Sequence, residues 1–139
     1  MLRPASTRRI RAAATGFTLI ELMVVVALIS VLAGMGVVMY RNSVKRTQEA
    51  VLHEDLFRMR DAIDQYYADK AKYPASLEAL VTDGYLRQIP KDPITNSSDT
   101  WQTVPAEPDP GDPTAEVGIY NVKSGAEGNS MDGTPYNEW

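Results

Sequence analysis

Hydrophobic residues follow two different patterns along the first half of the chain. Residues 22–40 form an uninterrupted run of nineteen residues without a charge. Further on, apolar side chains recur at steps of four and three residues: Leu52, Leu56, Met59, Ile63 and Tyr66. The continuous run predicts a helix that is apolar on every side, whereas the spaced stripe predicts an amphipathic helix. Together they predict one long helix with two different halves.

The apolar run has the length needed to cross a lipid bilayer. As a helix rising about 1.5 Å per residue it spans roughly 28 Å, the thickness of a bilayer core. The alternative, a buried core helix, requires a larger protein around it than this chain supplies. A cleaved secretory signal is disfavoured, because its apolar part is only about 7 to 15 residues long and ends in a small-residue cleavage site. Here Arg41, Asn42 and Ser43 follow instead.

The amphipathic half offers two ways to bury its stripe. The stripe can pack on the C-terminal part of the same chain or on another helix in a coiled coil, and the first is favoured. On the other faces, Glu54 and Arg58 form a supportive pair at the i, i+4 spacing, and so do Arg60 and Asp64.

The second half of the chain predicts a small α+β domain. The long helix is predicted to end before Pro74, and Ser76 begins a short helix that stops at Gly84. Two short strands are predicted over 100–104 and 117–122, on either side of a proline-rich loop over 105–113. We therefore expect a small antiparallel sheet packed on the long helix, followed by a C-terminal loop region.

Composition and charge exclude several classes of protein. With 139 residues the chain has the size of one domain, and with no cysteine it has no disulfide and no thiolate metal site. Its net charge of −4 and acidic C-terminal end argue against a nucleic-acid partner. No catalytic constellation is present, which predicts a protein that is not an enzyme. A single-span membrane enzyme or receptor would need a site that the sequence does not show.

Glu21 is the most informative single residue. It is the one ionisable side chain between residues 17 and 40. An ionised carboxylate in lipid costs several kcal/mol and usually pairs with a positive charge. The alternative is a carboxylate at the membrane surface that reaches water.

The string Gly16-Phe17-Thr18-Leu19-Ile20-Glu21-Leu22-Met23, after a leader with four arginines, resembles the signal of type IV pilins and type II secretion pseudopilins. The resemblance implies that a prepilin peptidase cleaves between Gly16 and Phe17 and that Phe17 becomes N-methylated. It also implies that Glu21 pairs with the N-terminus of a neighbouring subunit. The chain then divides into a leader (1–16), a transmembrane and assembly segment (17–40) and a periplasmic domain (41–139).

A second stretch, 64–93, resembles the middle of the major pseudopilins, with a tyrosine-proline turn, a leucine-rich short helix and a proline-aspartate-proline loop. This implies a type IV pilin-like fold and a subunit of a homopolymeric filament that drives protein export in type II secretion. Implied partners are the prepilin peptidase, membrane lipid, an inner-membrane assembly platform and minor pseudopilins. The implied location is the bacterial inner membrane, with one membrane pass and a periplasmic or cell-surface filament. The alternative is a type IV pilus that serves adhesion, motility or DNA uptake.

The C-terminal loop contains oxygen ligands of the kind that calcium prefers. From the residues alone, a polar glycine-rich tail is the favoured interpretation, because the spacing is not that of an EF-hand. Major pseudopilins, however, carry calcium in the equivalent loop. The resemblance therefore implies a calcium site, with Ser124 and Asp132 as the best candidates and Glu127 and the Val122 carbonyl as weaker ones.

Overall fold

The computed structural model describes residues 16–108, 110–111 and 116–139. Its elements are α1 (Leu19–Lys70), α2 (Leu77–Thr82), β1 (Gln102–Pro105), β2 (Ile119–Lys123) and a final 3-10 helix (Tyr136–Glu138). The predicted α+β fold is confirmed, and the 3-10 helix is an addition. Of the predicted leader, only Gly16 lies within the described residues.

The chain divides into two compact units, the first ending at Met39 and the second beginning at Tyr40. In the first unit every described residue is exposed. The second unit contains the hydrophobic core, α2 and the sheet.

The predicted stripe of α1 forms the centre of this core. Leu52, Met59 and Ile63 are fully buried. Their neighbours in the core come from the rest of the second unit: Leu77, Leu80, Trp101, Ile119, Val122, Ala126 and Tyr136. Each fully buried large side chain contributes roughly 1.5 to 3 kcal/mol. The stripe therefore packs on its own chain, as favoured over a coiled coil.

The ends of the two helices follow from local backbone chemistry. Ala71 has a positive φ of 52° just after α1, and its N–H donates to the Tyr67 carbonyl at 2.8 Å. Ser76 caps α2 by accepting a hydrogen bond from the Ala79 N–H at 3.3 Å. Gly84 follows α2 with a φ of 84°, a conformation that favours glycine. The predicted end of α1 and the two predicted ends of α2 are confirmed to within a few residues.

The two strands pair in antiparallel fashion, with Gln102 opposite Lys123. β1 begins two residues later than predicted because Trp101 is drawn into the core, where its indole N–H donates to the Pro90 carbonyl at 2.8 Å. In the predicted loop over 105–113, residues 106–108 and 110–111 belong to no helix or strand. Residues 109, 112 and 113 lie outside the described part of the chain.

Of the two predicted side-chain pairs on α1, one is present. Arg58 Nε lies 2.9 Å from Glu54 Oε1, at an exposed position where such a pair contributes little. The predicted pair between Arg60 and Asp64 is wrong. Arg60 instead donates to the Val122 carbonyl at 2.9 Å and to the Asn121 side-chain oxygen at 2.8 Å. These partly buried acceptors need a donor, whereas Asp64 is exposed to water.

Candidate functional site

The residues on either side of the predicted cleavage point precede α1 and are exposed. Phe17 exposes 76% of its surface. A Cβ placed on Gly16 would meet no atom within 4 Å among the described residues beyond its chain neighbours. The peptide bond between them lies outside the helices and strands of the described residues.

Thr18 caps the start of α1. Its Oγ1 accepts a hydrogen bond from the Glu21 N–H at 3.2 Å, and its carbonyl accepts one from the Leu22 N–H at 3.1 Å. In the sequence analysis, Thr18 has no role of its own and is one residue of the string from Gly16 to Met23. A threonine followed three residues later by glutamate is the sequence pattern of a capping box, and this signal could have identified it.

Glu21 lies in the first turn of α1 and is exposed. Within the described part of the chain its carboxylate has neither a hydrogen bond nor a salt bridge. The positive end of a helix favours a carboxylate there by about 0.3 to 1 kcal/mol. That is less than the several kcal/mol that an ionised carboxylate costs in lipid, so the helix end alone does not offset this cost.

The helix that carries Glu21 is long and apolar enough to cross a membrane. Within the described residues it is the one such helix, and its most apolar 18-residue window has a mean hydropathy of 2.7. No residue of that window is buried. Apolar surface of this extent needs lipid or other helices around it, which is consistent with a single-pass membrane anchor.

Two of the four predicted calcium ligands are engaged by other side chains. Ser124 is fully buried, and its hydroxyl donates to Asp92 Oδ2 at 2.6 Å. The Val122 carbonyl accepts two hydrogen bonds from the Arg60 guanidinium, at 2.9 and 3.3 Å. Glu127 and Asp132 have exposed side chains.

These contacts do not fit a calcium site built from the four residues. Calcium takes six to eight oxygen ligands, and a calcium ion at the Val122 carbonyl would face the positive charge of Arg60. The part of the chain that the structure describes contains no group of three or more acidic, histidine or cysteine side chains that could hold a metal. Calcium binding stays a prediction, and this geometry does not favour it.

Sequence reasoning missed two buried carboxylates, Glu49 and Asp92. Glu49 is 8% exposed and Asp92 is fully buried. Both contact the C-terminal region, Glu49 through Tyr136 and Asp92 through Ser124. Burial and the Glu49 carboxylate raise the pKa of Tyr136 to about 12. A signal existed for Glu49, because it lies three residues before Leu52 and therefore on the apolar face of α1.

Comparison with protein families identifies a motif in the N-terminal segment. The prokaryotic N-terminal methylation motif matches residues 11–37. This range includes Gly16, Phe17 and Glu21, which sequence analysis had assigned to processing and assembly.

Three curated relatives illustrate the similarity over longer ranges. The type II secretion system core protein G of Pseudomonas aeruginosa is 35% identical over 98 residues, covering 59% of this chain and 69% of that protein. The protein of the same name from Dickeya chrysanthemi is 28% identical over 146 residues, covering 85% of this chain and 94% of the relative. The fimbrial protein EcpC of Eikenella corrodens is 36% identical over 79 residues, covering 53% of this chain and 52% of that protein.

The chain spans only 60 to 66% of the length of other core protein G relatives that it matches. No solved structure matches it.

Proposed function

Because the chain belongs to the type II secretion system core protein G family, we propose that it is a structural subunit of a pseudopilus, the filament that drives protein export in type II secretion. The observation that carries this proposal is the Glu21 carboxylate. It is exposed on an apolar, membrane-length helix and has no partner within the described residues. A filament of identical subunits supplies that partner from a neighbour.

Processing creates the missing positive charge. Cleavage between Gly16 and Phe17 gives Phe17 a free amino group, which is then methylated. The exposure of Phe17 and the open space at Gly16 support access to this bond. The prepilin peptidase is the proposed enzyme, since the methylation motif covers both residues.

Assembly then pairs Glu21 of one subunit with the Phe17 amino group of the next. At about 4 Å and an effective dielectric constant near 20, two opposite charges attract by roughly 4 kcal/mol. Either charge without its partner in lipid would be destabilised by the free energy of its desolvation. The pair therefore sets the register of each added subunit, while the apolar helices provide most of the buried surface.

The remaining proposed partners follow from this role. The subunit is held in the inner membrane by residues 17–40 and carries a periplasmic domain over 41–139. An inner-membrane assembly platform adds it to the filament, and minor pseudopilins accompany the homopolymer. In this role the chain supplies structure and performs no catalysis.

The similarity to a fimbrial protein supports a second candidate, a subunit of a surface type IV pilus. The two roles differ in what cells lacking the chain lose. A pseudopilus subunit is required for export of folded periplasmic proteins, and its loss leaves surface fibres intact. Labelling of long surface fibres by an antibody against residues 41–139, with protein export unaffected by deletion, would assign the chain to a pilus.

Replacing Gly16 with a bulky residue is expected to block processing without disturbing the domain. Among the described residues beyond its chain neighbours, no atom lies within 4 Å of a Cβ at this position, so Gly16→Val should leave the domain intact and act through the peptidase. Immunoblots of membranes should show the full-length precursor in the variant and the shorter form in the parent. Gly16→Ala is the matched control and should be cleaved far better. Equal cleavage of all three chains would place the processing point elsewhere.

A further inference from the structure

We propose that hydrogen bonds to the buried carboxylates of Glu49 and Asp92 hold the C-terminal loop of this chain, residues 124–136, to the domain. These hydrogen bonds replace a calcium ion as the means of holding the loop. The inference concerns how the unassembled domain holds together and does not depend on the proposed filament. The loop contacts two distant parts of the chain, α1 through Lys45 and Glu49 and the segment that contains Asp92.

Glu49 fastens the far end of the loop to α1. Its Oε1 accepts a hydrogen bond from the Met131 N–H at 2.9 Å and another from the Tyr136 hydroxyl at 2.9 Å. Hydrogen bonds to an ionised carboxylate are stronger than those between neutral groups. One carboxylate therefore fixes two points of the loop that are five residues apart.

Asp92 fastens the near end of the loop. Its Oδ2 accepts from the Ser124 hydroxyl at 2.6 Å, while its Oδ1 accepts from the backbone N–H groups of Ile94 at 2.8 Å and Thr95 at 3.3 Å. The Ser124 hydroxyl in turn accepts from the Ala126 N–H at 3.1 Å. The Ser124 hydroxyl therefore both donates to and accepts from groups of the protein.

Two side-chain cations hold backbone carbonyls in and beside the loop. The Lys45 ammonium donates to the Asn129 carbonyl at 2.9 Å. The Arg60 guanidinium donates to the Val122 carbonyl just before the loop at 2.9 Å. Each supplies the positive charge that a metal ion would bring to carbonyl oxygens, and each would repel such an ion.

The buried polar side chains that hold the loop all form hydrogen bonds. Within the part of the chain that the structure describes, no buried side-chain nitrogen or oxygen lacks a partner. Buried polar groups are stable when all of them are paired. The buried side-chain polar atoms of the loop therefore all have partners within the protein.

The decisive test is thermal unfolding of the full-length chain in detergent, with EGTA and with added calcium chloride. The parent protein should melt at the same temperature in both conditions, and isothermal titration with calcium chloride should show no saturable site. A melting temperature that rises by several degrees with calcium, or a one-to-one calcium binding curve, would overturn the proposal. Neither result bears on filament assembly, which detergent-solubilised subunits do not report.

Substitution of Glu49 tests whether its hydrogen bonds to the loop stabilise the domain. Glu49→Ala leaves the Met131 N–H and the Tyr136 hydroxyl without their acceptor, so the melting temperature should fall by roughly 5 to 10 °C. Glu54→Ala is the matched control, because Glu54 lies on the same helix but is exposed and forms an exposed pair with Arg58. It should change the melting temperature little.

Two milder variants cover the case in which Glu49→Ala does not fold. Glu49→Gln keeps an oxygen acceptor without the charge, and Tyr136→Phe removes one of the two hydrogen bonds. Each should lower the melting temperature by a smaller amount and should speed proteolysis of the loop. Glu49→Gln and Tyr136→Phe proteins as stable and as protease-resistant as the parent would contradict the proposal.

Discussion

Replacement of Glu21 with glutamine is expected to abolish filament assembly while leaving cleavage and membrane insertion intact. Glutamine keeps the size of the side chain but removes the charge that pairs with the Phe17 amino group. Loss of an attraction of roughly 4 kcal/mol corresponds to about a thousandfold weaker subunit addition. Cross-linking in intact cells should give ladders of subunit multimers on immunoblots for the parent and only monomer for the variant, and protein export should stop.

Ser30→Ala is the matched control for this experiment. Ser30 is an exposed polar residue of the same helix, and its hydroxyl donates to the Val26 carbonyl of its own helix at 2.8 Å. The Ser30→Ala variant should assemble normally. Normal filaments from Glu21→Gln would show that the carboxylate does not set the register of subunits. Failure of Glu21→Gln to be cleaved would instead place Glu21 in recognition by the peptidase.

Replacement of Gly125 with alanine is expected to destabilise the second unit more than any conservative surface change. The antiparallel register that pairs Gln102 with Lys123 brings Gly125 opposite Thr100. A Cβ on Gly125 would lie 1.9 Å from the Thr100 carbonyl oxygen, a distance that forces the backbone to move. Over-packing of this kind costs roughly 3 kcal/mol, so thermal unfolding should shift down by about 10 °C or more.

Gly133→Asn is the control for Gly125→Ala. Gly133 has a φ of 87°, which strains L side chains but asparagine less than most, and among the described residues a Cβ there would meet no atom within 4 Å beyond its chain neighbours. This variant reports backbone strain without over-packing, so its melting temperature should fall less than that of Gly125→Ala. A Gly125→Ala protein as stable as the parent would mean that residues 100 and 125 do not approach each other as described.

The stripe of α1 could be predicted because it is a property of local spacing. Leu52, Met59 and Ile63 lie on one helical face in any arrangement of the rest of the chain, and an apolar face must be buried. The ends of α2 were predictable for the same reason, since Ser76 and Gly84 act on their immediate neighbours.

The contacts of the C-terminal loop could not be predicted because their partners lie far apart in sequence. Glu49 is 82 residues from Met131 and 87 from Tyr136. The Arg60 prediction was wrong for the same reason, because its acceptors lie 61 and 62 residues away. Local spacing favoured Asp64, but partly buried oxygens in β2 offered better acceptors.

The most direct test of the central claim is the N-terminal residue and intact mass of the protein extracted from native membranes. A pseudopilus subunit should begin at Phe17 and should carry one methyl group on its amino terminus. A protein that still carries residues before Phe17 would lack the Phe17 amino group that Glu21 requires, and it would contradict both the processing and the assembly proposed here.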